Sequence, residues 1–322
     1  MLRDAYGRSI GYLRLSLTAA CSMRCTYCRP GDFENPHDES RLTPTEIETL
    51  VTHLVRHHGL KKVRLTGGEP TTRPDLCEII TRLARLGLAD LAMTTNGLTL
   101  SHKAKQYAAA GLKRVNISLD SLERERFAAM TGVDGLPHVL AGIDAAIAGG
   151  LSPVRLNTVV VRGQNDVDLV PLLQFAGRRG LDIRFIELMP MGPLAMQWRD
   201  RWVPEQEMRD RLDEIVLHWH PMEQGHDAAR RYDVTLRDGS AATVGFITPM
   251  SCNFCAACNR IRIAADGTLY PCLMDAPGPN LMPALRPQFD GEALDALLAA
   301  GLGGKRAEHP VAGPTMMIKL GG

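Results

Sequence analysis

Six short strands that alternate with helices are the feature that most constrains how this chain can fold. Between residues 12 and 18, Leu13, Leu15 and Leu17 alternate with polar residues, which is typical of a strand with one buried face. Comparable segments return five more times, with helical patterns between them. This alternation predicts an α/β fold of parallel strands with right-handed crossovers. The predicted strands cover residues 12–18, 62–66, 91–95, 114–119, 154–161 and 183–188.

The intervening segments carry apolar residues at helical spacing. Thr43 and Glu46 predict a capping box, with Pro44 in the first turn of the helix. Ile47 and Leu54 are seven residues apart, on one face of that helix. The histidine pair His57-His58 is interpreted as a helix end, and the ten histidines show no spacing that indicates a metal site. Further helices are predicted over residues 74–86, 101–110, 122–130, 136–148 and 166–177.

Polar or glycine residues stand at the end of nearly every predicted strand, as in the Gly67-Gly68-Glu69-Pro70 segment. In β/α barrels the working site lies at the carboxyl ends of the strands. Several strands that contribute there favour a barrel over a doubly wound sheet with one crevice. Because only six strands are evident, we predict an incomplete (β/α)6 TIM-like barrel that is open on one side.

The composition changes after Gly192, which predicts a second unit. A helix is predicted over residues 204–215, and Asp238-Gly239 between two apolar segments is typical of a β-hairpin. We therefore expect a partial-barrel domain over residues 1–200 and a smaller C-terminal α+β domain over residues 201–322. A second group of cysteines falls in the latter.

Cys21, Cys25 and Cys28 lie within eight residues of one another, which is unusual for a chain with eight cysteines in all. Three thiols cannot all pair as disulfides, whereas thiolates are preferred ligands of zinc and of iron–sulfur clusters. Four protein ligands are normal for structural zinc and for a 4Fe–4S cluster. The triplet therefore indicates either a fourth ligand elsewhere or an iron left open for another molecule.

The second group consists of Cys255, Cys258 and Cys272, with Cys252 three residues ahead. A hairpin predicted at Asp266-Gly267 would fold Cys272 back toward Cys258. Cys252 could act as a fourth ligand, which would close the site, or lie outside it. The residues alone leave both alternatives open.

The near-equal numbers of basic and acidic residues limit which kinds of molecule the protein would bind. The chain has 37 Lys and Arg against 36 Asp and Glu, a formal net charge of +1, which argues against nucleic-acid binding. No apolar run is long enough to span a bilayer, and residues 1–10 do not resemble a signal peptide. We therefore expect a cytoplasmic protein whose cysteines are reduced and available for metal ligation.

Arginines are found on several predicted strands. Arg260 and Arg262 are two residues apart, so their guanidinium groups would share one face of a strand. The planar guanidinium group suits phosphate oxygens, and several arginines at one site indicate a highly charged anion such as a triphosphate. A single arginine is more often a surface residue. The other strand arginines are Arg14, Arg64, Arg155 and Arg184.

The Cys-x3-Cys-x2-Cys loop resembles that of the radical S-adenosylmethionine (SAM) enzymes, and the Gly-Gly-Glu-Pro segment resembles their glycine-rich SAM contact. A second segment resembles the GTP 3′,8-cyclase family of molybdenum cofactor biosynthesis. It consists of residues 254–262, Phe-Cys-Ala-Ala-Cys-Asn-Arg-Ile-Arg, together with Cys272. The resemblance runs nearly end to end. It implies two 4Fe–4S clusters, one on Cys21, Cys25 and Cys28 and one on Cys255, Cys258 and Cys272.

The resemblance also implies contacts for both small molecules. SAM contacts would be Tyr27, Gly68, Ser118 and Met189. GTP contacts would be Arg14, Arg64, Thr94, Arg155, Arg260, Ile261 and Arg262. Arg14, Arg260 and Arg262 are further expected to act in catalysis by helping to quench the radical product. Arg155 replaces the usual lysine of the family, which keeps the charge and changes the geometry.

The implied reaction converts GTP to 3′,8-cyclo-7,8-dihydroguanosine 5′-triphosphate, a lyase reaction begun by a 5′-deoxyadenosyl radical that takes hydrogen from C3′. The implied partners are an electron donor such as flavodoxin or ferredoxin and the next enzyme, cyclic pyranopterin monophosphate synthase. A homodimer is also expected. The family's diglycine tail, here Gly321-Gly322, would reach the active site. The alternatives are a peptide-modifying radical SAM enzyme and a non-catalytic metal-binding scaffold.

Overall fold

The computed structural model describes residues 1–29, 33–35 and 40–313. Six parallel strands form the centre of the fold and follow one another in chain order across the sheet. Each predicted strand is confirmed, with bounds that differ by no more than two residues. The strands are β1 (Tyr12–Ser16), β2 (Lys62–Thr66), β3 (Asp90–Thr95), β4 (Arg114–Ser118), β5 (Arg155–Val160) and β6 (Asp182–Glu187).

Helices connect these strands, and four shorter or later helices follow β6. The predicted alternation of strands and helices is therefore confirmed. The connecting helices are α1 (Pro44–His58), α2 (Leu76–Ala84), α3 (Leu100–Ala109), α4 (Arg124–Thr131), α5 (Leu136–Ala148) and α6 (Leu169–Arg179). The later helices are α7 (Trp198–Arg201), α8 (Glu205–Leu212), α9 (Met282–Leu285) and α10 (Gly291–Gly303).

Helix α1 shows why the local sequence folds as it does. The Thr43 side chain accepts from the Glu46 N–H, and the Glu46 carboxylate accepts from the Thr43 N–H, so the predicted capping box forms. Gly59 ends the helix in the left-handed conformation at φ 68°. Ile47 and Leu54 are buried against the sheet, as their spacing predicts.

The C-terminal strands extend the barrel sheet at both edges. Strand β10 pairs in parallel with β1, and β9 pairs in parallel with β6, so the described residues form one open sheet of eleven strands. The predicted C-terminal region thus adds to the incomplete barrel. The domain boundary at residue 200 stays a prediction. The added strands are β7 (Val216–Pro221), β8 (Arg230–Leu236), β9 (Ala241–Ile247), β10 (Arg260–Ile263) and β11 (Leu269–Tyr270).

Both predicted hairpins are present, between β8 and β9 and between β10 and β11. Gly239 and Gly267 adopt positive φ angles of 82° and 80° at the two turns, which explains the need for glycine there. Sequence reasoning missed β7, because this edge strand is largely exposed and lacks an alternating apolar pattern.

The two faces of the sheet differ in chemistry. Leu13 and Leu15 of β1 are completely buried in the main hydrophobic core, whereas Arg14 between them points to the opposite face. That opposite face lines a polar cavity. Among the described residues, no helix is long and apolar enough to cross a membrane.

Candidate active site

One cavity of about 300 Å³ runs along the inner face of the barrel sheet, from the first residues of the strands to the loops at their carboxyl ends, and also includes residues of β10. It contains charged, polar and sulfur-bearing side chains from both the barrel and the C-terminal region. Thirteen of the seventeen residues predicted for the site line this cavity; the other four, Ile261 and the cysteines Cys255, Cys258 and Cys272, are not part of its lining. The predicted residues that line the cavity are Arg14, Cys21, Cys25, Tyr27, Cys28, Arg64, Gly68, Thr94, Ser118, Arg155, Met189, Arg260 and Arg262.

The first cysteine triplet (Cys21, Cys25 and Cys28) lies in a folded loop after β1. The N–H of Cys28 donates to the carbonyl oxygen of Cys25 at 3.0 Å. Arg29, which is buried, donates through Nη1 to the carbonyl oxygens of Cys21 and Met23 at 3.1 and 3.3 Å. Main-chain and arginine hydrogen bonds therefore fix the loop. Sequence reasoning missed the role of Arg29.

Burial makes thiolates unfavourable in this loop unless a positive group accompanies them. Burial raises the pKa of Cys25 well above its ordinary value, and it raises the pKa of Cys28 to about 12. A bound metal supplies the missing positive charge and deprotonates its thiol ligands. The electrostatics of the loop thus fit a metal centre.

The second cysteine triplet (Cys255, Cys258 and Cys272) surrounds the start of β10 and the end of β11. The Cys258 N–H donates to the Cys255 carbonyl oxygen at 3.1 Å, and the β10–β11 hairpin returns the chain to Cys272. Burial alone would raise the pKa of Cys258, but the charges of Arg260 and Lys305 outweigh burial and lower it. Cys252 is exposed.

Gly68 is required by close packing of two loops. A Cβ atom at Gly68 would lie 2.4 Å from the carbonyl oxygen of Ala20, so any other residue would push the first cysteine loop away. The Gly68 N–H donates to the Thr18 carbonyl oxygen at 2.7 Å. The glycine-rich segment therefore sets the position of the loop that carries the first triplet.

Glu69 fixes this segment to the next strand end. Its carboxylate is buried and accepts hydrogen bonds from the N–H groups of Thr71 and Asn96 and from the hydroxyl of Thr95. Burial raises the pKa of this carboxyl. Sequence reasoning placed Glu69 at a strand end without recognising that it bridges β2 and β3.

Tyr27, in the first cysteine loop, is likewise held by a buried carboxylate. Its hydroxyl donates to Asp120 at 2.7 Å, and Asp120 also accepts from the Val159 N–H at 3.0 Å. Burial raises the pKa of Asp120 to about 6. These hydrogen bonds connect the cysteine loop to the ends of β4 and β5, beside Ser118.

Glu187 connects the barrel to the segment before the second triplet. This buried carboxylate at the end of β6 accepts from the N–H groups of Met250 and Ser251 at 2.9 and 3.0 Å. It also accepts from the N–H of Glu205 at 3.2 Å. One carboxylate therefore holds together the two parts of the chain that bound the cavity.

An arginine cluster (Arg14, Arg64, Arg260 and Arg262) lies on three adjacent strands. Arg262 and Arg64 are the register partners of Arg14 on either side. Burial and the charge of Arg262 lower the pKa of Arg14 well below its ordinary value. Burial and Arg260 lower the pKa of Arg262 to about 10. The cluster is a buried concentration of positive charge, which suits a polyanion.

Other cavity arginines already have carboxylate partners. Arg155 donates through Nε to Asp182 at 3.0 Å, and Arg184 donates to Asp227 at 2.9 Å. Arg155 thus lines the cavity as predicted, but part of its guanidinium group is engaged within the protein. Arg184, Asp227 and His226 also line the cavity and were not among the predicted contacts.

Two buried polar atoms point to a ligand. Among the residues that the structure describes, Thr94 Oγ1 and Asn157 Oδ1 are buried without a hydrogen-bond partner, and both residues line the cavity. A polar substrate would satisfy them. Ile261 behaves differently: its side chain is fully buried on the other face of β10, between Arg260 and Arg262.

Sequence comparison with protein families agrees with this geometry. The family model described as the Radical SAM superfamily matches residues 15–176, and the model described as Molybdenum Cofactor Synthesis C matches residues 181–311. The barrel, the first triplet and the polar cavity thus define an enzyme of the radical SAM class. Membership of this class implies a 4Fe–4S cluster and SAM.

Relatives that are similar over nearly the whole chain identify the family within the radical SAM class. A GTP 3′,8-cyclase from Pelotomaculum thermopropionicum is 42% identical over 96% of this chain and 95% of its own length. The GTP 3′,8-cyclase from Ectopseudomonas mendocina is 41% identical over 96% of this chain and 93% of its own length. The one from Moorella thermoacetica is 38% identical over the full length of both chains. The chain belongs to the GTP 3′,8-cyclase family.

Solved structures support the fold. Streptococcus suis SuiB bound to S-adenosylmethionine has a TM-score of 0.61 at 13% identity, covering 90% of this chain and 68% of that one. The anSMEcpe protein with bound AdoMet has a TM-score of 0.53 at 16% identity, covering 81% and 74%. At such identities the likeness concerns the fold alone.

Proposed function

We propose that this chain binds GTP and SAM together in the cavity and converts GTP to 3′,8-cyclo-7,8-dihydroguanosine 5′-triphosphate, as a lyase. The observation that carries the proposal is the arginine cluster, which lies in one cavity with the first cysteine triplet and next to the second. A triphosphate held by the cluster would place its nucleoside between the two triplets.

Cys21, Cys25 and Cys28 would hold the first 4Fe–4S cluster, and the raised pKa values of Cys25 and Cys28 fit a group that supplies positive charge to its thiolate ligands. A reduced cluster there would supply the one electron for cleavage of the SAM carbon–sulfur bond, which yields methionine and the 5′-deoxyadenosyl radical that abstracts hydrogen. Tyr27, Gly68, Ser118 and Met189 would position SAM.

Cys255, Cys258 and Cys272 would hold a second 4Fe–4S cluster, since the Cys255–Cys258 turn and the β10–β11 hairpin bring these cysteines to one end of β10. With three protein ligands, this cluster would keep one iron for the guanine base. The exposed Cys252 stays outside the proposed ligand set.

The protein's own residues orient the substrate. Arg260, Arg262, Arg14 and Arg64 would bind the phosphate oxygens, because a polyanion relieves the repulsion among buried guanidinium groups. Thr94 and Asn157 would hydrogen-bond the nucleoside through their unsatisfied oxygens. The surrounding strands exclude water from the reacting atoms.

The same assignment implies partners outside the chain. A flavodoxin or ferredoxin would deliver electrons, and cyclic pyranopterin monophosphate synthase would take up the product. We infer a cytoplasmic homodimer with partial-barrel and C-terminal domains divided near residue 200. All eight cysteines are unpaired, which suits a reducing compartment. The peptide-modifying and scaffold alternatives are not favoured, since the full-length relatives are GTP 3′,8-cyclases.

Anaerobic turnover tests the proposal. We expect the reconstituted protein to convert GTP to the cyclised triphosphate with SAM and a reductant, and to release methionine and 5′-deoxyadenosine in step with product. ATP in place of GTP is the matched control, because it keeps the triphosphate and changes the base. Cleavage of SAM without loss of GTP would show that the proposed substrate is wrong.

A further inference from the structure

Three side chains that sequence spacing did not connect meet on the outer surface. His53 and His58 lie on α1, and Asp295 lies 242 and 237 residues further along on α10. Each histidine places its Nε2 atom 2.7 Å from the same Oδ1 atom of Asp295. The three potential ligand atoms all lie within 4.8 Å of one another. We call these residues the histidine–aspartate cluster.

The two histidines of the cluster are largely buried, whereas its aspartate is accessible to solvent. The side chains of His53 and His58 are 8% and 14% exposed, whereas that of Asp295 is 44% exposed. His53 and Asp295 of the cluster line an open hollow of about 710 Å³ together with Glu292 and His57, whereas His58 is not part of this lining. A hydrated ion could therefore reach Asp295 and the largely buried imidazole of His53 from the solvent.

Packing holds the His53 ring in place before any ion binds. It stacks on His57 with ring centroids 4.6 Å apart and meets the edge of Phe289 at 5.6 Å. A Cβ atom at Gly291 would lie 3.2 Å from Cε1 of His53, so glycine leaves room for the ring. A side chain held in place by packing is well suited to bind a metal ion.

We propose that the histidine–aspartate cluster binds one divalent transition-metal ion of the zinc type, separately from the two cysteine triplets. Two imidazoles and a carboxylate are ligands that zinc accepts, with water or Glu292 in the fourth position. Metal bonds of about 2.0–2.1 Å require nitrogen–oxygen separations of about 3.3 Å. The exposed Asp295 side chain can move outward to provide them.

The ion would join parts of the chain that are distant in sequence. Helix α10 leads to Lys305, whose ammonium group donates to the carbonyl oxygen of Arg260 at 3.2 Å and to that of Pro271. Both residues are close to the second cysteine triplet. A metal at the α1–α10 contact would thus stabilise the C-terminal region against the barrel.

Zinc titration of the tag-free protein with both clusters loaded tests this site. We expect one additional zinc per chain by elemental analysis, and a rise of about 2 °C or more in the unfolding temperature. Asp295→Asn should weaken zinc binding by about tenfold or more and remove the thermal shift. His58→Asn is a second variant at the same site.

Replacement of His218 and His220 by Ala is the matched control, because these residues form a histidine pair on β7, away from the cluster. The control should bind zinc as the wild type does, and iron content reports whether each variant is folded. Equal zinc binding by the wild type and Asp295→Asn, or no zinc beyond the clusters' iron in the wild type, would overturn the proposal. Loss of stability in Asp295→Asn without any effect of zinc would show a hydrogen-bonded contact only.

Discussion

Arg14 is a largely buried, positively charged residue beside two other arginines, an arrangement that costs folding stability. Its neighbours across the sheet are Arg262 and Arg64, and burial together with Arg262 lowers its pKa well below the ordinary value. Burying like charges next to one another is unfavourable unless an anion joins them. This concentration of positive charge is consistent with the triphosphate site proposed above.

Arg260→Ala or Arg262→Ala should abolish formation of the cyclised triphosphate while cleavage of SAM survives in part. Either change would remove a proposed phosphate contact and leave the first cysteine triplet intact. Chromatography of product and of 5′-deoxyadenosine measures both activities. Arg124→Ala is the matched control, since Arg124 is exposed and paired with Asp134 on the surface. Unchanged GTP turnover in the Arg260 and Arg262 variants would refute their assignment.

Residue types and spacing could predict that the first cysteine triplet and the arginines of β1, β2 and β10 line the cavity, because closely spaced cysteines and paired arginines are recognisable in the sequence. They could not predict Glu69 and Glu187, which act by accepting several hydrogen bonds from distant segments. Such bridging depends on the folded geometry. The same holds for the histidine–aspartate cluster, whose members are far apart in the chain.

At the level of elements, the loops that carry the cysteines depend on segments outside them. Arg8 in the N-terminal segment donates through Nη1 to the carbonyl oxygens of Cys255 and Ala307 at 2.8 and 2.9 Å. Its Nε also pairs with Asp4. The N-terminal segment therefore secures the turn that begins the second cysteine triplet.

Arg8→Ala should loosen this turn and selectively destabilise the second cluster that we propose for it. We expect iron content to fall from about eight toward about four per chain under mild chelation, with SAM cleavage retained. Iron analysis and 5′-deoxyadenosine formation are the measurements. Arg3→Ala, at an exposed arginine of the same segment, is the control. Equal iron loss in both variants, or loss of both clusters together, would contradict the role given to Arg8.

Periodicity could predict most elements, since β1 to β6 and both hairpins have clear patterns of apolar residues and turn glycines. It could not predict that β10 pairs with β1 and that β9 pairs with β6. These pairings join residues about 60 to 250 positions apart, and nothing local determines them. The predicted tail residues Gly321-Gly322 lie outside the described residues.

At the level of the whole molecule, one sheet connects the barrel to the C-terminal region. Glu46 of α1 pairs with Arg286 just after α9, at the contact between these parts. The hydrogen bond from Arg286, with the capping hydrogen bonds of Thr43, lowers the pKa of Glu46 to about 2. The stabilisation is present above the ordinary pKa of about 4.3 and is lost as the pH falls toward 2.

A double-mutant cycle with Glu46→Gln and Arg286→Gln should give a coupling free energy of about 0.5–1 kcal/mol at pH 7, since the pair is partly exposed. Denaturant titration of the wild type, both single variants and the double variant measures it. The pair Arg124 and Asp134, more exposed on both sides, should give a smaller coupling. Equal destabilisation of the single variants with no coupling would show that the contact does not join the two parts.

The whole account depends on GTP and SAM sharing the cavity between the two cysteine triplets. Turnover of GTP that carries deuterium at C3′ tests this most directly. The account predicts that the 5′-deoxyadenosine formed contains that deuterium, because the reacting carbon of SAM and C3′ of GTP must be adjacent. Recovery of unlabelled 5′-deoxyadenosine from a reaction that consumes the deuterated GTP would contradict it.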